Sequence, residues 1–320
     1  MVPREVAYHP ARGRRGWAAL VRRGLAALVR RGLAALARRG LAALARTGLA
    51  ALALAGLAAV ATGCSMRQLL YPVPPVPVPS PPPAPLAEVR LAGTAGPLVA
   101  WHLPAGEPGA PAVVFFHGNG ENLETMRLAG FFEQTDALGA HVLAVDYPGY
   151  GGSAGRPSEA GIEEAADLAL AWLEERHPAS PRVAAGWSLG AAVALGLATR
   201  WPEEVAGVIA ASPWTSLEAV AATHYPGWLV RIFLAERYDS LTAAPRLRCP
   251  ALVVHGARDW IIPPAQGERL AAALPRARWR EIAGAGHNDL LARPEVWEEM
   301  SDFLADVRDD SLSPDPASGG

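Results

Sequence analysis

The stretch Gly186-Trp187-Ser188-Leu189-Gly190 stands between two runs of different character. Before it, Arg182-Val183-Ala184-Ala185 reads as a buried strand; after it, the run from Ala191 to Ala198 reads as a helix of small residues. A serine between two glycines at a strand-to-helix turn fits a nucleophile elbow. The glycines are needed sterically, because such a turn packs backbone on backbone and a Cβ at either flank would clash. The turn lifts the Ser188 hydroxyl above the sheet edge and aims the first amides of the helix at the same point. Those amides and the helix dipole favour negative charge there. With 32 glycines in 320 residues the pentapeptide alone is a weak signal, so its weight comes from the strand and helix around it.

Working outward, the rest of the chain keeps the same alternation. Glu88–Leu91 and Leu98–Leu103 form a leading antiparallel pair across a glycine turn. Ala112–Phe116 is wholly apolar, as a strand covered on both faces must be. A helical stretch then runs to about Leu138, followed by a strand at His141–Asp146. Residues 158–177 form an acidic amphipathic helix, with Ile162, Ala166, Leu170 and Leu173 inward. Beyond the elbow come strands at Val205–Ala211, Ala251–Gly256 and Arg278–Ile282, with a divergent stretch from Ser212 to Asp239. Strands alternating with helices at this pace imply an α/β fold with a mostly parallel sheet.

In order and spacing the chain from Leu86 to Val307 resembles the α/β-hydrolase superfamily. Three segments narrow the likeness: His117-Gly118-Asn119-Gly120-Glu121-Asn122, Asp146-Tyr147-Pro148-Gly149-Tyr150-Gly151 and Ser212-Pro213-Trp214-Thr215-Ser216. They are similar to the branch holding serine-aminopeptidase-like hydrolases, protein depalmitoylases and lysophospholipid lipases. The resemblance implies a central sheet with helices on both faces and a small helical cap.

An elbow serine needs an acid and then a histidine later in the chain. Asp259, in His255-Gly256-Ala257-Arg258-Asp259, lies just past a strand's carboxyl end, where sites in open α/β sheets gather. The competing reading makes Asp259 a cap for the helix after Pro263, and the two roles look mutually exclusive. His287, in Gly284-Ala285-Gly286-His287-Asn288-Asp289, is the best base. The resemblance places acid and histidine at these same two positions; Glu121 and Asp289 are weaker rivals. The expected roles follow: His287 takes the Ser188 proton, Ser188 attacks an acyl carbonyl, and Asp259 holds the imidazole. The backbone amide of Leu189 meets the oxyanion, with that of Asn119 as the resemblance implies. Trp214, Trp228 and Phe233 are candidates for substrate contact. The last two lie in a hydrophobic stretch, His224–Tyr238, which is either ordinary core or a lid over the acyl pocket. His117 and His255 are expected to order loops through backbone hydrogen bonds.

The amino-terminal part is different in kind. Gly16, Gly24, Gly32, Gly40, Gly48 and Gly56 recur every eight residues, several after an Arg pair. Eight residues advance a helix about 80° past whole turns, so the arginines wander and make no fixed amphipathic face. From Thr47 to Gly63 the charges stop, and a basic leader before an apolar run reads as a secretory signal. It ends in Val60-Ala61-Thr62-Gly63-Cys64, which resembles the lipobox of bacterial lipoproteins. That likeness implies cleavage before Cys64, lipid on its thiol, and attachment to the cell envelope. The alternative is an uncleaved anchor at the short limit for spanning. The proline-rich Tyr71–Pro85 segment reads as an extended spacer between lipid and domain.

The expected organisation is therefore leader 1–63, anchor and tether 64–85, hydrolase domain 86–308 and a disordered tail 309–320. A net charge of −2 points away from nucleic acid, and all 29 basic residues are arginine. Cys249 reads as a buried thiol. No metal site is expected, because the histidines and cysteines lack ligand spacing, and the mechanism calls for no cofactor. A monomer acting on an acyl ester or lipid is the leading expectation. An amide-cleaving serine peptidase and a catalytically idle envelope scaffold are the alternatives.

Overall fold

The computed structural model describes residues 70–107 and 109–312. Cys64 and the whole leader lie outside the described residues. Eight strands form one sheet: β1 (Ala87–Gly93), β2 (Gly96–Leu103), β3 (Ala112–Phe116), β4 (His141–Val145), β5 (Arg182–Trp187), β6 (Gly207–Ala211), β7 (Ala251–Gly256) and β8 (Ala277–Ile282). Their order is β1-β2-β4-β3-β5-β6-β7-β8. The β1–β2 and β2–β4 pairs are antiparallel and every other pair is parallel.

Nine helices accompany the sheet among the described residues. They are α1 (Leu123–Leu128), α2 (Phe131–Asp136), α3 (Glu159–Arg176), α4 (Leu189–Arg200), α5 (Leu217–His224), α6 (Gly227–Phe233), α7 (Ser240–Ala243), α8 (Pro264–Ala273) and α9 (Pro294–Leu312). Successive strand residues point to opposite faces, so each central strand feeds two cores. Val114, Phe116 and Leu143 pack with Ile162 and Leu173 of α3 and with Leu195 of α4. Val113, Phe115 and Val142 pack with Leu123 of α1, Phe131 of α2 and Phe303 of α9.

The mostly parallel α/β sheet with helices on both faces is as expected. All four inward positions named for the 158–177 helix are buried on α3, which Ser158 caps by accepting from the Gly161 amide. One difference concerns the helix expected to run to Leu138. It is two helices, because Gly130 adopts φ 78° and redirects the chain before α2. At the other end, α9 runs to Leu312, into the tail expected to begin at residue 309.

The proline-rich segment departs most from expectation. It makes no ladder, yet it lies along the domain instead of standing clear of it. Tyr71 is buried and its hydroxyl meets that of Tyr238 at 2.8 Å. The Val76 carbonyl accepts from Asn122 Nδ2 at 2.7 Å, and Pro82 is buried. Free carbonyls on an extended chain are strong acceptors, and this segment places them where the domain supplies donors.

Close approach of β5, α4 and β3 depends on two glycines. A Cβ on Gly186 would overlap the Gly190 carbonyl, and one on Gly190 would overlap the Phe116 carbonyl. Backbone cannot move aside as a side-chain tip can. Gly190→Ala is therefore expected to cost about 3 kcal/mol or more, a fall in Tm of roughly 6–12 °C for a domain of this size. Gly106→Ala, whose Cβ meets nothing within 4 Å, is the silent control. Equal melting of the two variants would remove the steric account of the elbow.

Candidate active site

Strand β3 is flanked by β4 on one side and β5 on the other, so the loops after β3 and β5 diverge and leave a crevice at the carboxyl edge. Both the Asn119 loop and Ser188 sit there. Ser188 adopts φ 57° and ψ −114°, a conformation rare for any residue with a side chain. It is held by its amide, which donates to the Ala211 carbonyl at 2.9 Å. α4 starts at the next residue, so its first turn points at the serine.

The structure brings Ser188, His287 and Asp259 together, all buried. His287 Nε2 lies 3.1 Å from Ser188 Oγ, and His287 Nδ1 lies 2.7 Å from Asp259 Oδ2. The loop after β8 that carries the histidine is fixed where the Gly286 amide donates to Asp289 Oδ1 at 2.7 Å. Asp289, a rival acid in the sequence, thus shapes the histidine's loop without touching the ring.

Asp259 takes the triad role and does not cap the helix after Pro263, whose start has no side-chain cap. Its Oδ1 accepts from the amides of Ile261 and Ile262 at 3.0 and 2.8 Å, while Oδ2 faces His287. A carboxylate has two oxygens with about four lone-pair directions, so bracing the Ile261–Ile262 turn and orienting the imidazole do not compete. Two further groups converge on Oδ2. Ser212 Oγ donates to it at 3.0 Å, and His255 Nε2 lies 3.3 Å away while also 2.9 Å from the Ile262 carbonyl. Burial pushes the Asp259 carboxyl up, but hydrogen bonds from His255 and His287 outweigh burial and hold it well below the usual carboxylate range. The group is therefore an anion throughout the neutral range.

Ser212 and Trp187 were not assigned roles from the sequence. Ser212 is fully buried at φ 44°, in the Ser-Pro-Trp-Thr-Ser segment where only the residue types drew attention. Trp187 places its ring 5.1 Å from that of His287, limiting how far the imidazole can turn.

The Asn119 loop is braced from several sides. The Asn119 side chain donates to the Leu70 carbonyl at 2.6 Å and accepts from the Tyr150 hydroxyl at 2.9 Å. Tyr147 donates to the His117 carbonyl at 2.7 Å, and the Gly118 amide donates to Glu121 Oε2 at 2.9 Å. His117 Nδ1, 2.8 Å from the Gly118 carbonyl, must carry its proton there, since a carbonyl only accepts. Neither the Asn119 nor the Leu189 amide donates to another backbone group among the described residues.

Burial pushes Glu121 from 4.5 up to about 7, and Asp146 from 3.8 up to about 7; it pulls His117 from 6.5 down to about 4. The 3.7 Å approach of His117 to Asp146 is thus a contact between groups that favour their neutral forms, not an ion pair. Folded Glu121 binds more protons than the unfolded side chain between about 4.5 and about 7. Its contribution to stability is therefore full at low pH and lost as pH rises through that window. Glu121→Gln keeps an acceptor for Gly118 and removes the titration. Relative to wild type, the variant should gain as pH rises from 5 to 8, by up to about 3 kcal/mol, read from urea midpoints. A gap that stays constant with pH would mean that Glu121 titrates normally.

The expected substrate contacts need correction. Trp214 is buried in the core, with Nε1 donating to the Tyr238 carbonyl at 3.2 Å, so it is committed to holding that loop. Trp228 faces outward at 68% exposure, because α6 turns Val230 inward instead. A lid that lines the site with Trp228 is therefore not the arrangement seen. The side chain of Phe233 lies outside the described residues. Cys249 is a buried free thiol, pushed up to about 11 chiefly by burial.

Comparison with known proteins agrees with the fold. The serine aminopeptidase (S33) profile matches residues 108–240, and the alpha/beta hydrolase fold profile matches 230–294. An uncharacterized protein of Mycobacterium tuberculosis is 39% identical over 216 residues, 66% of this chain and 75% of that one. Protein bem46 of Schizosaccharomyces pombe is 30% identical, covering 61% of this chain and 68% of its own. Among solved structures, the Pyrococcus furiosus esterase Pf2001 superposes with a TM-score of 0.58 at 21% identity, covering 73% of this chain and 98% of that one. The chain belongs to the α/β-hydrolase superfamily, and the class of chemistry it is built for is hydrolysis.

Proposed function

We propose that the protein hydrolyses carboxylic esters or thioesters through an acyl-enzyme on Ser188. The observation that carries this reading is the continuous relay from Ser188 Oγ to His287 Nε2 at 3.1 Å and from His287 Nδ1 to Asp259 Oδ2 at 2.7 Å. Ionised Asp259 can only accept, so Nδ1 holds the imidazole proton and Nε2 presents a lone pair to the serine. His287 takes the Ser188 proton as Oγ bonds to the acyl carbon. The amides of Leu189 and Asn119 meet the oxyanion, each such donor being worth about 10²–10³ in rate. Collapse of the intermediate expels the leaving group, which takes the proton from His287. Water then attacks the acyl-enzyme and gives a proton to His287, which passes it to Ser188 Oγ as the acid leaves.

The leader supports an acyl lipid as substrate. A lipid-bearing Cys64 would hold the domain beside a membrane, only six residues before Leu70, whose carbonyl meets Asn119. Cys64→Ser is expected to move the protein from the membrane fraction to the soluble one. Unchanged membrane association, with an unprocessed leader by mass spectrometry, would favour an anchor helix instead. Cleavage of amides is the second reading, favoured by the match to the serine aminopeptidase profile. A panel of p-nitrophenyl esters of graded chain length, run beside aminoacyl anilides, decides between them. Turnover of esters with little of anilides is expected, and the reverse preference would replace esterase by peptidase.

A further inference from the structure

Three histidines that are far apart in sequence meet at the end of β4 remote from the site. His102 lies near the end of β2, His141 is the first residue of β4, and His177 closes the carboxyl end of α3. His102 and His141 are buried and His177 is half-buried. One ligating nitrogen from each lies within 4.8 Å of the other two. His177 Nε2 is 3.2 Å from His102 Nε2, whereas the rings of His141 and His177 stack face to face at 3.7 Å, so the His141 ring must turn out of the stack before its in-plane lone pair can reach an ion shared with His177. A cavity of about 310 Å³ opens beside His141 and His177, lined also by Ala105, Glu107 and Ser180.

We propose that His102, His177 and His141 bind a divalent transition metal, Zn²⁺ in the first instance, with the cavity side open to water. At Zn–N distances of about 2.0–2.1 Å, two ligands of a tetrahedral ion stand roughly 3.3–3.4 Å apart. The His102–His177 spacing of 3.2 Å already has that length. Imidazole ligands suit Zn²⁺, Cu²⁺ and Ni²⁺.

Two features bear on affinity. His141 Nδ1 accepts from the Ala105 amide at 2.9 Å, which puts the ring proton on Nε2. Ligation through Nε2 moves that proton to Nδ1 and frees the Ala105 amide, so the Ala105–Gly109 loop must rearrange on binding. Arg176, adjacent to His177, opposes a cation, whereas Glu107 in the same loop attracts one. The ion would tie β2 and β4 to the end of α3, at the edge of the sheet away from Ser188.

The test is titration of the chelator-stripped full-length protein with Zn²⁺ by calorimetry, and with Co²⁺ by visible absorption. One ion per chain is expected, with the intense d–d bands of a tetrahedral Co²⁺ site and a Tm that rises with Zn²⁺ concentration. His177→Gln, at a helix end, should fold and bind at least about tenfold more weakly, with no Zn²⁺-dependent rise in Tm. His102→Gln should do the same if it folds. Absence of binding, or an affinity unchanged in His177→Gln, would overturn the proposal and leave the 3.2 Å contact as an N–H···N hydrogen bond.

Discussion

Ser188→Ala should reduce ester turnover by about 10⁶ while leaving the fold intact, since removal of a triad nucleophile costs about that in subtilisin. Among the described residues the hydroxyl's one partner is His287 Nε2, and the strained turn is held by the Ser188 amide on Ala211. Activity and Tm are thus expected to separate, with hydrolysis lost and melting unchanged within a degree or two. Turnover above about one part in 10³ of wild type in the purified variant would mean that a different group does the chemistry.

Asp259→Asn should cost about 10⁴ in turnover, as the corresponding change does in chymotrypsin. The amide keeps the shape but presents either an N–H₂ or an oxygen to each neighbour. At Oδ1 an acceptor is needed for the Ile261 and Ile262 amides. Satisfying that side turns the N–H₂ toward His287 Nδ1, which then accepts, and the imidazole takes the tautomer with its proton facing Ser188. The same turn sets N–H₂ against the Ser212 hydroxyl, which must rotate to accept. A base that already holds a proton cannot take another from serine, so kcat falls far more than KM rises. A silent Asp259→Asn, with another carboxylate essential, would show that the acid lies elsewhere.

How much could be read in advance differs by the kind of interaction. The elbow was readable because its determinants are local: small residues at fixed offsets, a strand before and a helix after. Asp259 and His287 are expected beside Ser188 from the place of their loops at the sheet's carboxyl edge and from the family resemblance, and the structure brings the three side chains together. What escaped was set by atoms that composition does not describe. In sequence Asp259 reads as either a cap for the helix after Pro263 or a triad acid; α8 starts without a side-chain cap, and the carboxylate instead braces the Ile261–Ile262 turn with one oxygen and faces His287 with the other. Tyr71–Pro85 looked like a free spacer because prolines forbid a ladder, which says nothing about where its carbonyls find donors. Residues 102, 141 and 177 show no metal spacing along the chain; the β2–β4 register and the end of α3 bring them together. Trp228 looked like lid lining because a short apolar segment does not reveal which of its faces turns inward.

The central claim, an activated serine at the elbow, is tested most directly by labelling with a fluorophosphonate and mapping the adduct by peptide mass spectrometry. The account predicts one phosphonyl group per chain on the peptide carrying Ser188. It predicts none in Ser188→Ala and strongly slowed labelling in His287→Ala. An unlabelled wild type, or an adduct on any other residue, would contradict it.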